Sequence, residues 1–327
     1  MMKRRALLKR LALMGGIAAI PFKILRAEPA VIKTVKRPFH QLKVGTLDLT
    51  VLTDGHIALS PIQPTFPNGS EQAEKELLQK HFRSTEAIDL SMNILVIKKE
   101  NDVILVDTGT GGNFGPASGW MLSSMADAGI TPESITHVVI SHAHPDHVGG
   151  LLTKEGAPVF PHAQVHVARL EHEFWMAPQQ DFSKSKFQDK KLLAAFTAST
   201  QTIFKTLQVQ VRLFEHGVEL LGCLRMELAP GHTPGHTLVH VYSGSEELVH
   251  VADLLHSDVL SVQHPEWGFN GDTNLEQAMA TRKKVLADLS KGGKRTFGYH
   301  LPWPGIGHVR KQGEGYEWVA EAYAFPE

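Results

Sequence analysis

Six residues, His142-Ala143-His144-Pro145-Asp146-His147, constrain this chain more than any other stretch. They place four potential metal donors on a very short span. On extended backbone alternate side chains share a face, so the His142 and His144 rings point the same way. Pro145 cannot continue a strand ladder, so the chain turns there and brings Asp146 and His147 round from another side. The run ahead of it, Ile135 to Ile140, is apolar and β-branched and reads as a buried strand. Gly149 and Gly150 follow as a tight turn into something helical. The donors therefore sit on a loop at the end of a buried strand, where α/β sheets tend to hold their chemistry. An open catalytic zinc usually takes three protein ligands and a water. Three imidazoles and a carboxylate exceed that, and the excess argues for two metals with further ligands supplied from elsewhere.

The 327 residues can bury a large core, as one big domain or two small ones. With one cysteine, Cys223, no intramolecular disulfide and no Cys-rich zinc site is possible. Any metal must be held by His and carboxylate. The N-terminus reads apart from the fold. Lys3, Arg4, Arg5, Lys9 and Arg10 precede an uncharged run, Leu11 to Phe22, that is too short to span a bilayer. This is a secretory signal pattern, and Arg4-Arg5 gives it the look of a twin-arginine leader. The expectation is a signal peptide over 1–27, one domain over 28–327, a periplasmic or secreted product, and no stable membrane insertion after cleavage. Losing 1–27 removes seven of 33 basic residues and none of 34 acidic ones, leaving a net charge of −8. No basic stripe remains to neutralise phosphates, which argues against a nucleic-acid partner.

Along the chain, Phe39 to Leu59 reads as strand closed by an Asp54-Gly55 turn. Glu71 to Phe82 reads as a short helix, and Met92 to Ile97 with Val103 to Val106 as a hairpin. Helices are expected at Trp120 to Ala128, Glu171 to Met176, Lys190 to Leu207 and Asn274 to Leu289, the last strongly amphipathic. Residues 208–228 read as two strands around Gly217 and Gly222. Leu238 to Tyr242 and Leu248 to Ala252 read as a hairpin, and Thr296 to Tyr299 as the last strand. Most candidate donors fall where an apolar strand stops: Asp107, His142, His232, Asp253 and His300.

Taken together, His142-x-His144-x-Asp146-His147, Gly231-His232-Thr-Pro-Gly-His236, Asp253 at a strand end and His300 resemble the metallo-β-lactamase superfamily. The turn from Asp253 to His256 and the run from His300 to His308 are similar to its methyl parathion hydrolase group, itself similar to the quorum-quenching lactonases. The resemblance implies an αββα sandwich of two mixed sheets flanked by helices. It also implies two metal sites, one held by His142, His144 and His232, the other by Asp146, His147 and His300, with Asp253 bridging. Zinc is the default, with Mn, Co or Fe also accepted by such donors. Two ions about 3.5–4 Å apart would activate a shared hydroxide for hydrolysis, with Asp146 moving the proton to the leaving group. Asp107 is expected to fix a ligand imidazole from behind, and His236 to orient the His232 loop.

The implied substrate is small, neutral and partly hydrophobic: an organophosphate triester with an aromatic leaving group, or a lactone as the natural one. Trp175, Phe196 and His256 are the expected pocket walls. A class B β-lactamase, or a periplasmic metal-dependent binding protein without activity, are the alternatives. A homodimer fits the habits of the group.

Overall fold

A computed structural model describes residues 36–322; the expected signal segment lies outside them. Among the described residues fourteen strands form two seven-stranded sheets, and each sheet is built from one half of the chain. The first holds β1 (Phe39–Val44), β2 (Leu47–Leu59), β3 (Ile88–Lys99), β4 (Asp102–Val106), β5 (His137–Ile140), β6 (Gln164–Ala168) and β7 (Val211–Phe214), in chain order. The second holds β8 (Glu219–Leu220), β9 (Leu224–Leu228), β10 (Thr237–Ser243), β11 (Glu246–His250), β12 (Arg295–Phe297), β13 (Ile306–Gln312) and β14 (Gly315–Ala320), also in chain order. Strands β4 to β7 run parallel, as do β11 and β12; the other neighbours are antiparallel. Both sheets are therefore mixed.

Alternation along the strands explains the layers. On β3 to β6, Ile94, Leu105, Val138 and Val167 face one core, while Leu95, Val106, Val139 and Ala168 face another. The second core is the seam between sheets, completed by Leu224, Met226, Val239, Val241 and Leu248. Both faces of these strands are covered, which is why they read as continuous apolar runs. The outer face of the first sheet is closed by α2 (Met121–Asp127), α4 (Arg169–Met176) and α5 (Lys190–Thr206). The outer face of the second is closed by α7 (Leu275–Gly292), through Val285, Leu286 and Leu289. A smaller cluster joins α1 (Glu71–Lys80) to α6 (Leu260–Gln263), and α3 is the short turn Pro145–Val148. The αββα sandwich is as expected.

Three local readings need correction. Asp54-Gly55 is not a hairpin turn. It is a bulge inside β2, where the register with β3 shifts between Thr53 and His56. The bulge turns the Asp54 carboxylate inward to accept the amides of Thr110 and Met121, anchoring the glycine-rich loop after β4. Residues 208–228 hold three strands rather than two, because the chain leaves the first sheet after β7 and starts the second at β8. Thr296 to Tyr299 is not the last strand: β13 and β14 follow. They form an edge hairpin whose solvent face breaks the apolar pattern with Arg310, Lys311 and Gln312.

Candidate metal centre

The loops after β4, β5, β9, β11 and β12 all leave the sheets at one rim, and there they converge. His142 Nε2, His144 Nδ1 and His232 Nε2 lie 2.8–3.2 Å from one another. Asp253 Oδ2 is 3.2 Å from the His232 nitrogen and 3.7 Å from that of His142. On the other side of Asp253, its Oδ1 lies 3.0 Å from His147 Nε2 and its Oδ2 3.1 Å from His300 Nε2. Asp146 Oδ2 completes this half, 3.4 Å from His300 and 3.7 Å from His147. Each half is a group of four donors whose ligand atoms lie within 4.8 Å of one another, and Asp253 belongs to both. The structure thus brings together all seven residues singled out in the sequence.

The donor set fits a pair of cations. An imidazole has one lone pair, and its other nitrogen decides which atom carries it. His147 Nδ1 donates to Asp107 Oδ2 at 2.9 Å, and His232 Nδ1 donates to Asp272 Oδ1 at 2.9 Å. His300 Nδ1 donates to the Ser91 carbonyl at 2.8 Å. Ser141 Oγ gives its proton to Asp107 Oδ2, so it accepts from His142 Nδ1. Four rings are therefore held with bare Nε2 atoms facing inward. His147 Nε2 and Asp253 Oδ1 face each other without forming a hydrogen bond and have no other hydrogen-bond partner among the described residues, although both are buried. Buried acceptors crowded this closely are what a divalent ion satisfies.

Electrostatics agree. Burial pushes His144 down to about 3, with His232 adding to it. Burial also opposes charge on His232 and His300, yet the neighbouring carboxylates outweigh it and raise both to about 9. Burial works against the Asp253 carboxylate as well, but His147, His300 and His142 hold it well below the usual range. Carboxylates that draw protons onto these rings would draw cations to the same place.

Local backbone explains the aim of the side chains. Asp107 has φ 63° and Ala252 φ 44°, both in the left-handed region that side chains rarely adopt. The carboxylates of Asp107 and Asp253 thus leave strand ends on sharp turns. At Gly231 (φ 131°) a Cβ would collide with the Ala278 backbone of α7, so only glycine lets the His232 loop approach that helix.

Several supports were not visible in the sequence. Glu171, on α4, is buried and accepts from Ala143 N and Trp175 Nε1 with one oxygen, and from Thr233 Oγ1 and Gly235 N with the other. It ties the first ligand loop to the third. Asp272 lies 40 residues from the ring it holds and is itself 3.6 Å from the buried Arg282. Tyr299 stacks on His147 at 4.0 Å and donates to the Asp146 carbonyl. Neither acidic residue carries a sequence signal, because each sits alone in an ordinary polar run.

His236 stands at the base of the His232 loop: its Nδ1 donates to the Ala229 carbonyl and its Nε2 accepts the amide of Asp253. One expectation changes. Trp175 is not a pocket wall. It is fully buried, edge-on to His144 at 5.6 Å, and backs that ligand from behind. Phe196 does line a pocket, of about 260 Å³, together with Phe114, Phe187 and Leu192. Its floor is formed by His144, Asp146, His232, Asp253 and His300, with His256 at the side, stacked on Phe269 at 3.6 Å. Asp107 stands behind His147 as expected. Among the described residues no helix is long and apolar enough to cross a membrane.

The sequence matches the Metallo-beta-lactamase superfamily over residues 88–310. The chain belongs to that superfamily. Among solved structures it is similar to AidC, a dizinc quorum-quenching lactonase captured with a product. That likeness has 38% identity and a TM-score of 0.86 over 89% of this chain and 99% of that one. It is also similar to the hydrolase AbOPH of the beta lactamase superfamily, at 29% identity and a TM-score of 0.81, over 90% of this chain and 100% of that one. A curated relative, the uncharacterized protein YobT of Bacillus subtilis (strain 168), is 29% identical over 144 residues. That match takes in 44% of this chain and spans about half of the relative, 54% of its length. The fold and its donor set are those of a metal-dependent hydrolase.

Proposed function

We propose that this chain is a dinuclear-metal hydrolase that opens small lactones bearing an apolar acyl chain, and that cleaves organophosphate triesters as a secondary activity. The observation that carries this reading is the position of the seven donors on the floor of an apolar pocket. His142, His144 and His232 would hold one cation, Asp146, His147 and His300 the other, and Asp253 both. Zinc is the expected occupant, since imidazole and carboxylate suit it. When bound, such a pair supplies Lewis-acid polarisation of a carbonyl or phosphoryl oxygen and a water acidic enough to attack it near neutral pH.

The chain's own residues do the rest. Phe114, Phe187, Phe196 and Leu192 would take up an acyl chain or an aromatic leaving group and exclude bulk water. Asp146, half-buried and facing the pocket, would carry a proton to the leaving oxygen. His256, also facing it, would steady the substrate's polar end. Among the described residues no Lys or Arg lines the pocket, so a β-lactam carboxylate would find no cationic side chain there. The similarity to a lactonase supports the lactone as preferred substrate.

Initial rates with N-hexanoyl-homoserine lactone, a nitrophenyl dialkyl phosphate and a cephalosporin test this directly. The lactone is expected to give the highest kcat/KM, the phosphotriester a lower one, and the cephalosporin none. A preference for the cephalosporin, or hydrolysis that survives Asp253→Ala, defeats the proposal. N-terminal sequencing of the exported protein tests the proposed removal of residues 1–27.

A further inference from the structure

Asp253 must aim two oxygens at two clusters, and the backbone that carries it is strained. The residue before it, Ala252, has φ 44°. An alanine does not rest there unaided, because its Cβ crowds the neighbouring carbonyl. The two amide hydrogens of this turn therefore need firm partners, and both partners are histidines that no metal site uses. Ala252 N donates to His250 Nδ1 at 3.0 Å. Asp253 N donates to His236 Nε2 at 3.1 Å.

We propose that His250 and His236 are positioning residues, whose imidazoles accept the consecutive amides of Ala252 and Asp253 and so set the aim of the Asp253 carboxylate. The proposal rests on the reading of Asp253 as the shared ligand. Both rings are fully buried. His236 is pinned at its other nitrogen by donation to the Ala229 carbonyl, which leaves Nε2 as the acceptor. His250 has no such arrangement. With Nδ1 accepting, its proton sits on Nε2, and that buried atom has no partner among the described residues. The ring packs edge-on to Phe297 at 4.8 Å, a place an aliphatic or phenyl side chain would fill without an orphaned donor. The use of a histidine there is explained by Nδ1. Burial lowers both rings, His236 to about 3 and His250 to about 4, which keeps them neutral and able to accept.

The test is a set of variants of the metal-loaded full chain, read by metal content per chain after dialysis, by thermal melting, and by kcat and KM for N-hexanoyl-homoserine lactone. His250→Leu removes the acceptor and keeps the bulk. It is expected to lower metal affinity or kcat by about 10–100-fold, the usual effect of losing an outer partner, with KM nearly unchanged. His250→Asn puts an amide oxygen near the position of Nδ1 and should recover most of the loss. Ala252→Gly, combined with His250→Leu, should also recover it, since glycine adopts this φ without strain. His236→Gln, which retains an acceptor near Nε2, should be milder than His236→Leu. Wild-type metal content and kcat in His250→Leu would overturn the proposal. So would equal damage in His250→Asn and His250→Leu, with no rescue by glycine, because the ring would then serve only as packing. Should His250→Leu fail to fold, the His236 pair and Ala252→Gly alone, expected to raise the melting temperature, decide in its place. Asp253→Asn separates the two readings. If it keeps full metal content and hydrolysis, the shared-ligand reading fails, whatever the histidine variants do.

Discussion

The two halves of the donor cluster share Asp253 but are built differently. The half containing His142, His144 and His232 is three rings around one carboxylate, and a separate group stands behind each: Ser141, Trp175 and Asp272. The half containing Asp146, His147 and His300 has two carboxylates and two rings, backed by Asp107, Tyr299 and the Ser91 carbonyl. Asp107 is the exception to this division. Its Oδ2 takes His147 directly and reaches His142 through the Ser141 hydroxyl. Each half exposes one half-buried ligand to the pocket, His144 in one and Asp146 in the other. The difference teaches where control lies. The second half carries the extra carboxylate, and Asp107 contacts the ring supports of both halves.

Losing the shared ligand should do the most damage. Asp253→Ala is expected to empty both halves and to cut lactone hydrolysis by more than the ~10–100-fold that an outer partner costs. Elemental analysis and initial rates would show it, and retention of one metal would mean that the halves are independent. Chelation comes next. Cations at about 1,000-fold above their Kd would stabilise the fold by ~4 kcal/mol, so dialysis against a chelator should lower the melting temperature by about 6 °C.

The comparison is sharpened by its two outer aspartates. Asp272→Ala should weaken only the three-histidine half, by about 10–100-fold in metal affinity. Asp107→Ala should weaken both. A chelator titration followed by metal content would show one class of released ion in the first variant and two in the second; the same single class in both would break the distinction.

The smallest effect concerns a carboxylate buried with no ring or cation at all. Glu74 on α1 is 1% exposed, neither oxygen has a hydrogen-bond partner among the described residues, and burial with nearby Glu71 raises it to about 7. A folded-state value above the unfolded one means stability is full below the unfolded range and declines as pH rises through about 7. Glu74→Gln should therefore raise the melting temperature at pH 8, by about 2–4 °C for each kcal/mol relieved, and leave it unchanged at pH 4. A gain at both pH values would point to packing instead of charge.

The donors were legible because each sits where an apolar strand stops. Histidine and aspartate have no packing reason to be there, and the six-residue opening motif fixes spacing as well as identity. The sandwich followed from strands buried on both faces. What stayed hidden was held by long-range pairing. Glu171 looks like any glutamate on a helix until the Thr233 loop lands on it, and Asp272 like any turn aspartate until His232 arrives. Asp54-Gly55 has the chemistry of a hairpin turn, and only the loop around Thr110, packed on its carboxylate, makes it a bulge. The β13–β14 hairpin was missed because an edge strand shows water too many charges to keep an apolar rhythm.

Each sheet uses one half of the chain, so the donors come from both: His142 to His147 from the first, His232, Asp253 and His300 from the second. Residues 158 positions apart in sequence meet at one point, as His142 and His300 do. Contacts of that sequence separation form late, after loop closure has been overcome. Under the proposed ligation, neither half of the cluster would bind its cation fully alone, since Asp253 is common to both. On that reading metal capture would report the completion of folding, a clasp that closes only once the two halves have found each other.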